Sequence, residues 1–252
     1  MKKITPAPVR KFGWKPDLPD QRDRLFSVVR KFEGHLPPRV DLRPGCSRVE
    51  NQGQIGSCTA NAIVACLEYL EIKATKTWVD LSRLYLYYKE RELRGWQNED
   101  GGAYLRDGIK VLVKTGTPHE VTWPYNEKNW ALKPNAAADK EAGQHLISDY
   151  QRLDSLNDMK TCLAKGYPFV FGFSVYESFD SVGSNGMVAL PGMNERMQGG
   201  HAVCAVGYDE DKKYLIVRNS WGVGWGDNGY FYMPYDYVAN RNLSDDFWTI
   251  RK

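Results

Sequence analysis

The sequence has no apolar run close to the roughly 18 residues that cross a bilayer, so no membrane-spanning helix and no membrane partner is expected. It has no Cys-x-x-Cys pair and no cluster of cysteine with histidine, which removes the common zinc sites. It has no glycine-rich phosphate loop and no dinucleotide fingerprint, so neither metal nor cofactor is expected. It has no large excess of one charge: the net charge is +3 and the pI near 8.5, too mild to call for nucleic acid. The opening Met1-Lys2-Lys3-Ile4-Thr5-Pro6-Ala7-Pro8 is basic without an apolar run behind it, unlike a secretory signal. A cytoplasmic location is therefore expected, with export by a route without a cleaved signal left open. Histidine is scarce too, with four in 252 residues, so few groups can act as a base near neutral pH.

What is present is unevenly spread. Residues 1–50 carry 12 Lys/Arg against 6 Asp/Glu, and the remainder has a net charge of −3. Seven of the 13 prolines lie in that same first fifth, which should therefore be largely extended. Three regions are expected: an N-terminal extension over 1–35, a mainly helical lobe over 36–145 and a β-rich lobe over 146–252. Helical spacing predicts helices over 58–74, 82–93 and 105–114, a helix-prone run over 136–146, and a short helix within 25–32. The 58–74 helix is apolar on most sides and should be central. Alternation and apolar runs predict strands over 169–175, 201–208, 213–219, 229–233 and 247–251. Helices first and strands second indicate an α+β protein with segregated lobes.

Five cysteines leave at least one thiol unpaired: Cys46, Cys58, Cys66, Cys162 and Cys204. Only Cys58 opens a predicted helix, where free backbone N–H groups stabilise a thiolate. Among the histidines, His35 lies in the proline-rich approach, His119 in a loop and His145 in a polar connection where it reads as a surface residue. His201 opens an apolar strand, where a polar side chain needs a reason. The next strand ends at Asn219. With an odd number of turn residues, the two would share one sheet face. The Asn219 amide could then hold one imidazole nitrogen and aim the other at a thiol. Gln52, six residues before Cys58, could add an oxyanion donor beside the Cys58 backbone N–H.

Gln52-Gly53-x-x-Gly56-Ser57-Cys58, then Gly200-His201-Ala202-Val203, then Asn219-Ser220-Trp221-Gly222-x-Gly224-Trp225-Gly226 resembles the papain-like cysteine peptidases, the cathepsin family. Val40-Asp41-Leu42-Arg43 resembles the start of the mature enzyme, and Asp100-Gly101-Gly102 the glycine pair that binds substrate backbone. The resemblance spans about residues 36–252. It implies a two-lobed papain-like fold, with a helical left lobe, a β-barrel-like right lobe and the active-site cleft between them. It implies Cys58 as nucleophile, His201 as acid/base, Asn219 as its orienter and Gln52 as oxyanion donor. Trp221 would shield the His–Asn bond. Gly101 and Gly102 would hold an extended peptide. Gly200 would adjoin the substrate, and Ala202 would line the pocket for the second residue before the scissile bond. The implied partner is a peptide or protein substrate.

Three positions depart from the family pattern. Ile55 stands where a disulfide cysteine is usual, Thr59 where tryptophan usually follows the nucleophile, and Gly200 where an acidic or polar residue often precedes the histidine. The long helical pro-region is absent, so residues 1–35 are expected to act as a short pro-segment or cleft cover. A catalytically silent peptide-binding protein and a transpeptidase or ligase using the same residues are the alternatives to a hydrolase.

Overall fold

The computed structural model describes residues 10–29 and 34–252. In chain order its elements are β1 (Trp14–Lys15), α1 (Phe26–Val29), β2 (Arg39–Asp41), α2 (Cys58–Thr75), α3 (Arg83–Glu92), β3 (Ala103–Tyr104), α4 (Leu105–Lys114), α5 (Ala136–Ala142), β4 (Asp149–Arg152), α6 (Leu156–Ala164), β5 (Phe169–Tyr176), β6 (Met197–Asp209), β7 (Tyr214–Arg218), β8 (Tyr230–Pro234), α7 (Tyr235–Ala239) and β9 (Ser244–Arg251). The α1 helix is described over Phe26–Val29, and the rest of the stretch expected to be helical falls partly outside the described residues. The α5 helix stops at Ala142, short of the predicted run, with Gly143 as its C-cap residue.

Every residue of α2 from Cys58 to Glu71 is buried, as its all-round apolar character requires. Lys76 ends it in a left-handed turn at φ 59°. The α3 and α4 helices pack against α2, and Leu84, Tyr85, Leu105, Ile109 and Leu112 join Ile63, Val64 and Leu67 in one core.

The strands form an antiparallel sheet in the order β4-β9-β5-β6-β7-β8, with β2 also paired to β6. Among the described residues the sheet does not close: β4 and β8 are its two ends. The right lobe is thus an open sheet rather than the barrel-like form that the resemblance implied. Phe169, Phe171, Phe173 and Val175 of β5 face a second core with Phe231 and Phe247, while Val170 faces the first. Alternation thereby lets one strand serve both cores. The chain also crosses between the lobes early, since β2 pairs through Val40 with Tyr208.

The β6–β7 hairpin sets the site. Asp209 pairs with Tyr214, so the turn holds four residues, an even number. Alone, that would send His201 and Asn219 to opposite faces. A bulge between Ala205 and Gly207 inserts one residue and restores the parity. They are therefore diagonal neighbours on one face, rather than the direct pair that a three-residue turn would give.

Candidate active site

Cys58 is the first residue of α2 and is fully buried. Ser57 takes the N-cap position without capping through its side chain. Its Oγ instead lies 2.6 Å from the Tyr125 hydroxyl, which donates to the Gln52 carbonyl at 2.8 Å. Tyr125 thus ties the residue before the thiol to the proposed oxyanion loop.

The bulged register brings His201 to Asn219: Nε2 to Oδ1 is 2.8 Å. The same Oδ1 accepts from the Ser220 N–H, which fixes the amide so that its oxygen faces the ring. His201 Nδ1 is buried and has no hydrogen-bond partner among the described residues. The thiol of Cys58 has the backbone N–H of Ala202, the residue after His201, beside it. Trp221 stacks on the imidazole with ring centroids 4.8 Å apart and 25° between planes, covering the His–Asn bond.

Gln52 is buried, and its orientation is fixed from the β lobe. Its Oε1 accepts from Ser220 Oγ at 2.6 Å, and its own N–H donates to the Ser220 carbonyl at 2.8 Å. The side-chain NH2 is thereby turned toward the cleft, where it donates to the Ile55 and Lys11 carbonyls at 3.0 and 3.4 Å. Gly102 has φ 77°, and a Cβ there would stand 1.9 Å from the Gly13 carbonyl oxygen. Glycine is required there by both conformation and close approach.

That carbonyl belongs to the N-terminal segment, which runs through the cleft. Strand β1 pairs in parallel with β3, and the Ala103 N–H donates to the Gly13 carbonyl at 2.8 Å. Phe12 flanks His201 and Trp221, each at 6.3 Å between ring centroids. The Arg10 guanidinium sits 3.9 Å over the Trp221 ring, and Lys11 pairs with Asp100 at 2.7 Å. Farther along, Arg106 clasps the segment through Asp23 and the Leu18 carbonyl, both at 2.6 Å.

Covering governs the ionisation. Burial pushes the Cys58 thiol up to about 12, opposed by the N–H groups of Ala202, Gly13 and Thr59. Burial pushes His201 down to about 4, opposed by its bond to Asn219. Both shifts favour a neutral thiol beside a neutral imidazole.

Sequence reasoning missed Trp14, Tyr125 and Asp246, none of which lies in a recognisable motif. It also misplaced His145, which is buried and 3.0 Å from Glu71 Oε1. All five cysteines are free thiols.

A cysteine on a helix of one lobe, facing a histidine–asparagine pair on a sheet of the other, defines a thiol hydrolase of two-lobed architecture. Residues 36–246 match the model of the papain family cysteine protease, and the chain belongs to that family of cysteine peptidases. It is 41% identical to a peptidase C1-like protein of Acanthamoeba polyphaga mimivirus, over 96% of this chain and 87% of that one. It is 34% identical to the cathepsin B-like CP3 of Giardia intestinalis, covering 77% and 68%. Its fold matches the crystal structure of xylellain, a cysteine protease from Xylella fastidiosa, with a TM-score of 0.89 and 40% identity over 99% and 98% of the two chains.

Proposed function

We propose that Cys58, His201, Asn219 and Gln52 perform the peptide hydrolysis and that residues 10–25 hold the enzyme silent until they leave the cleft. The observation that carries the reading is the convergence of the four side chains under Lys11, Phe12 and Gly13. Once the segment leaves, water and substrate replace it and the two pKa shifts relax. The proton passes from Sγ to His201, and the thiolate attacks the peptide carbonyl carbon. Gln52 Nε2 and the Cys58 N–H stabilise the oxyanion that forms. His201 gives its proton to the departing amine, then takes one from the water that releases the acyl group. Asn219 keeps the ring in the tautomer and orientation that both transfers need.

The segment resists its own enzyme by geometry. It presents the Gly13 N–H to the thiol, and the Gly13 carbonyl is turned away to Ala103. The Gly13 carbonyl carbon is therefore not offered to the thiol. All four working positions are filled, which favours an enzyme over a silent binding protein. Cys58→Ala should abolish hydrolysis of a general peptide substrate while leaving the unfolding midpoint within a few degrees. Undiminished turnover in that variant, measured after the segment is displaced, would sink the assignment.

A further inference from the structure

A narrow cavity lies between the two lobes beside Asn219. Asn61, Ala65 and Glu68 wall it from one face of α2, and Ala202, Arg218 and Asn219 wall it from the sheet. It leaves about 10 Å³ for the centre of a water molecule, close to the roughly 10–15 Å³ that one buried water needs. The charged groups on its walls are already engaged. Glu68 accepts from the Ser47 hydroxyl and the Leu81 N–H, and Arg218 donates to the Ser47 and Arg48 carbonyls. Among the described residues that line the cavity, two side-chain atoms are buried without a partner: Asn61 Oδ1 and Asn219 Nδ2.

Neighbouring bonds settle which end of each amide is bare. Asn61 Nδ2 donates to the Ser57 carbonyl at 2.9 Å and to Ser57 Oγ at 3.0 Å, so the nitrogen faces the start of the helix and the oxygen faces away. Asn219 Oδ1 accepts from His201 Nε2 and from the Ser220 N–H, both at 2.8 Å, so its nitrogen is the end left over. One wall thus carries a bare acceptor and the other a bare donor. Asn61 is 4% exposed and Asn219 2%, so bulk water reaches neither. An asparagine in the first turns of an otherwise apolar helix also needs a reason, because its side chain competes with the helical backbone.

We infer that one water molecule bridges Asn61 Oδ1 and Asn219 Nδ2 in this cavity, and that Asn61 is thereby a positioning residue for His201. The inference rests on the peptidase reading of the same site. The water donates to Asn61 and accepts from Asn219. The Ser220 hydroxyl, on the same wall, donates to Gln52 at 2.6 Å and keeps a lone pair for the second hydrogen of the water. Without the bridge, a donor and an acceptor stay buried and unpaired, which is costly. The terminal torsion of an asparagine is soft, so two bonds to Oδ1 alone leave the amide free to rock. A third bond, at Nδ2, fixes its plane and with it the imidazole. Asn61 lies three residues after Cys58 on the same helix, so the bridge joins the helix of the nucleophile to the orienter of the base.

NMR of the full-length native chain at pH 7 provides the first test. A nuclear Overhauser contact between a long-lived water and the Asn219 side-chain NH2 is expected. Asn61→Leu replaces the amide by an apolar group of similar size. It should remove that contact and speed solvent exchange of the His201 Nε2–H about fivefold, the size of one hydrogen bond made through a water. In the Trp14→Ala background, where the segment is held less firmly, the same substitution should lower kcat about fivefold at unchanged KM. Asn61→Val cannot overfill the cavity, and it repeats each measurement if the leucine chain does not fold. A native Asn219 amide without a water contact would overturn the inference. So would a His201 Nε2–H exchange rate within twofold of native in the variants, which would leave Asn61 a purely structural partner of Ser57. A loss that falls on KM instead of kcat would overturn it as well. If the Trp14→Ala parent cleaves no peptide while the water contact and the exchange shift are both present, the bridge stands and the peptidase reading fails.

Discussion

Replacing Trp14 with alanine should expose Cys58. Truncating a fully buried tryptophan costs about 3–5 kcal/mol. Trp14 is nearly that buried, and its indole also forms the bond to Asp246. The loss falls on docking of the segment rather than on folding of the lobes, because the residues around the indole, Gly172, Gly200 and Asp246, belong to β5, β6 and β9 and keep their ladder. Anchors remain on either side, at Gly13 with Ala103 and at Asp23 with Arg106, so the lower figure of about 3 kcal/mol is apt. That raises the uncovered fraction by roughly 150-fold, while the covered form still dominates. The assay is the rate of iodoacetamide addition at Cys58 at pH 6, read by peptide mapping. Cys66, Cys162 and Cys204 are buried away from the cleft and serve as internal controls. A rise of about 100-fold at Cys58, with those three unchanged, is expected. If the Cys58 rate moves less than threefold in a chain that still unfolds cooperatively, the segment is not what covers the thiol.

Thiolate absorbance at 240 nm, taken as the difference between the native and Cys58→Ala chains, should be absent at pH 7 because burial raises the thiol to about 12 and lowers His201 to about 4. Both groups thus stay neutral between those values, and a thiolate signal from the native chain at pH 7 would refute the neutral pair. Asn219→Ala removes the acceptor 2.8 Å from His201 Nε2, so kcat of the uncovered enzyme should drop about 10- to 100-fold at nearly constant KM, which steady-state kinetics would check. Tyr125→Phe leaves the Gln52 carbonyl and Ser57 hydroxyl without the bridge between them, and urea unfolding should register a loss of about 1–2 kcal/mol.

The parts of the site that depend on local pattern were legible in the sequence. The helix that opens at Cys58 follows from its apolar spacing, and the polar His201 at the head of an apolar strand marks itself. The register that unites His201 with Asn219 was not legible. It depends on a bulge at Val206, and nothing in the run Ala-Val-Cys-Ala-Val-Gly-Tyr announces an extra residue beyond the glycine itself. Trp14 and Asp246 are 232 positions apart and meet only through tertiary structure. An aspartate pair opening the otherwise apolar strand Ser244–Arg251 was the available signal, and it reads equally as a solvated strand end. The basic, proline-rich character of the N-terminus indicated an extended segment, but not its path. That path depends on side-chain pockets that composition does not encode.

The departures from the family pattern now have physical counterparts. Ile55 removes a disulfide from the loop that carries Gln52, yet the loop is tied at every step. Gly53 N–H donates to Asn51, Gln54 N–H to Glu127 and Gly56 N–H to Asp100, at 3.0, 2.7 and 2.9 Å. Hydrogen bonds to one amide and two half-buried carboxylates hold the loop where a covalent bridge would otherwise do so. Thr59, in place of a tryptophan, donates at 2.6 Å to Glu90, which burial drives toward its protonated form. A neutral acid there fills space behind the nucleophile and adds no negative charge against a thiolate. Asp100 links the two themes. It receives the Gly56 N–H and the Tyr87 hydroxyl from the enzyme body and pairs with Lys11 of the segment. Departure of Lys11 therefore leaves Asp100 still engaged by two donors, so the segment can leave without dismantling the loop that must then stabilise the oxyanion.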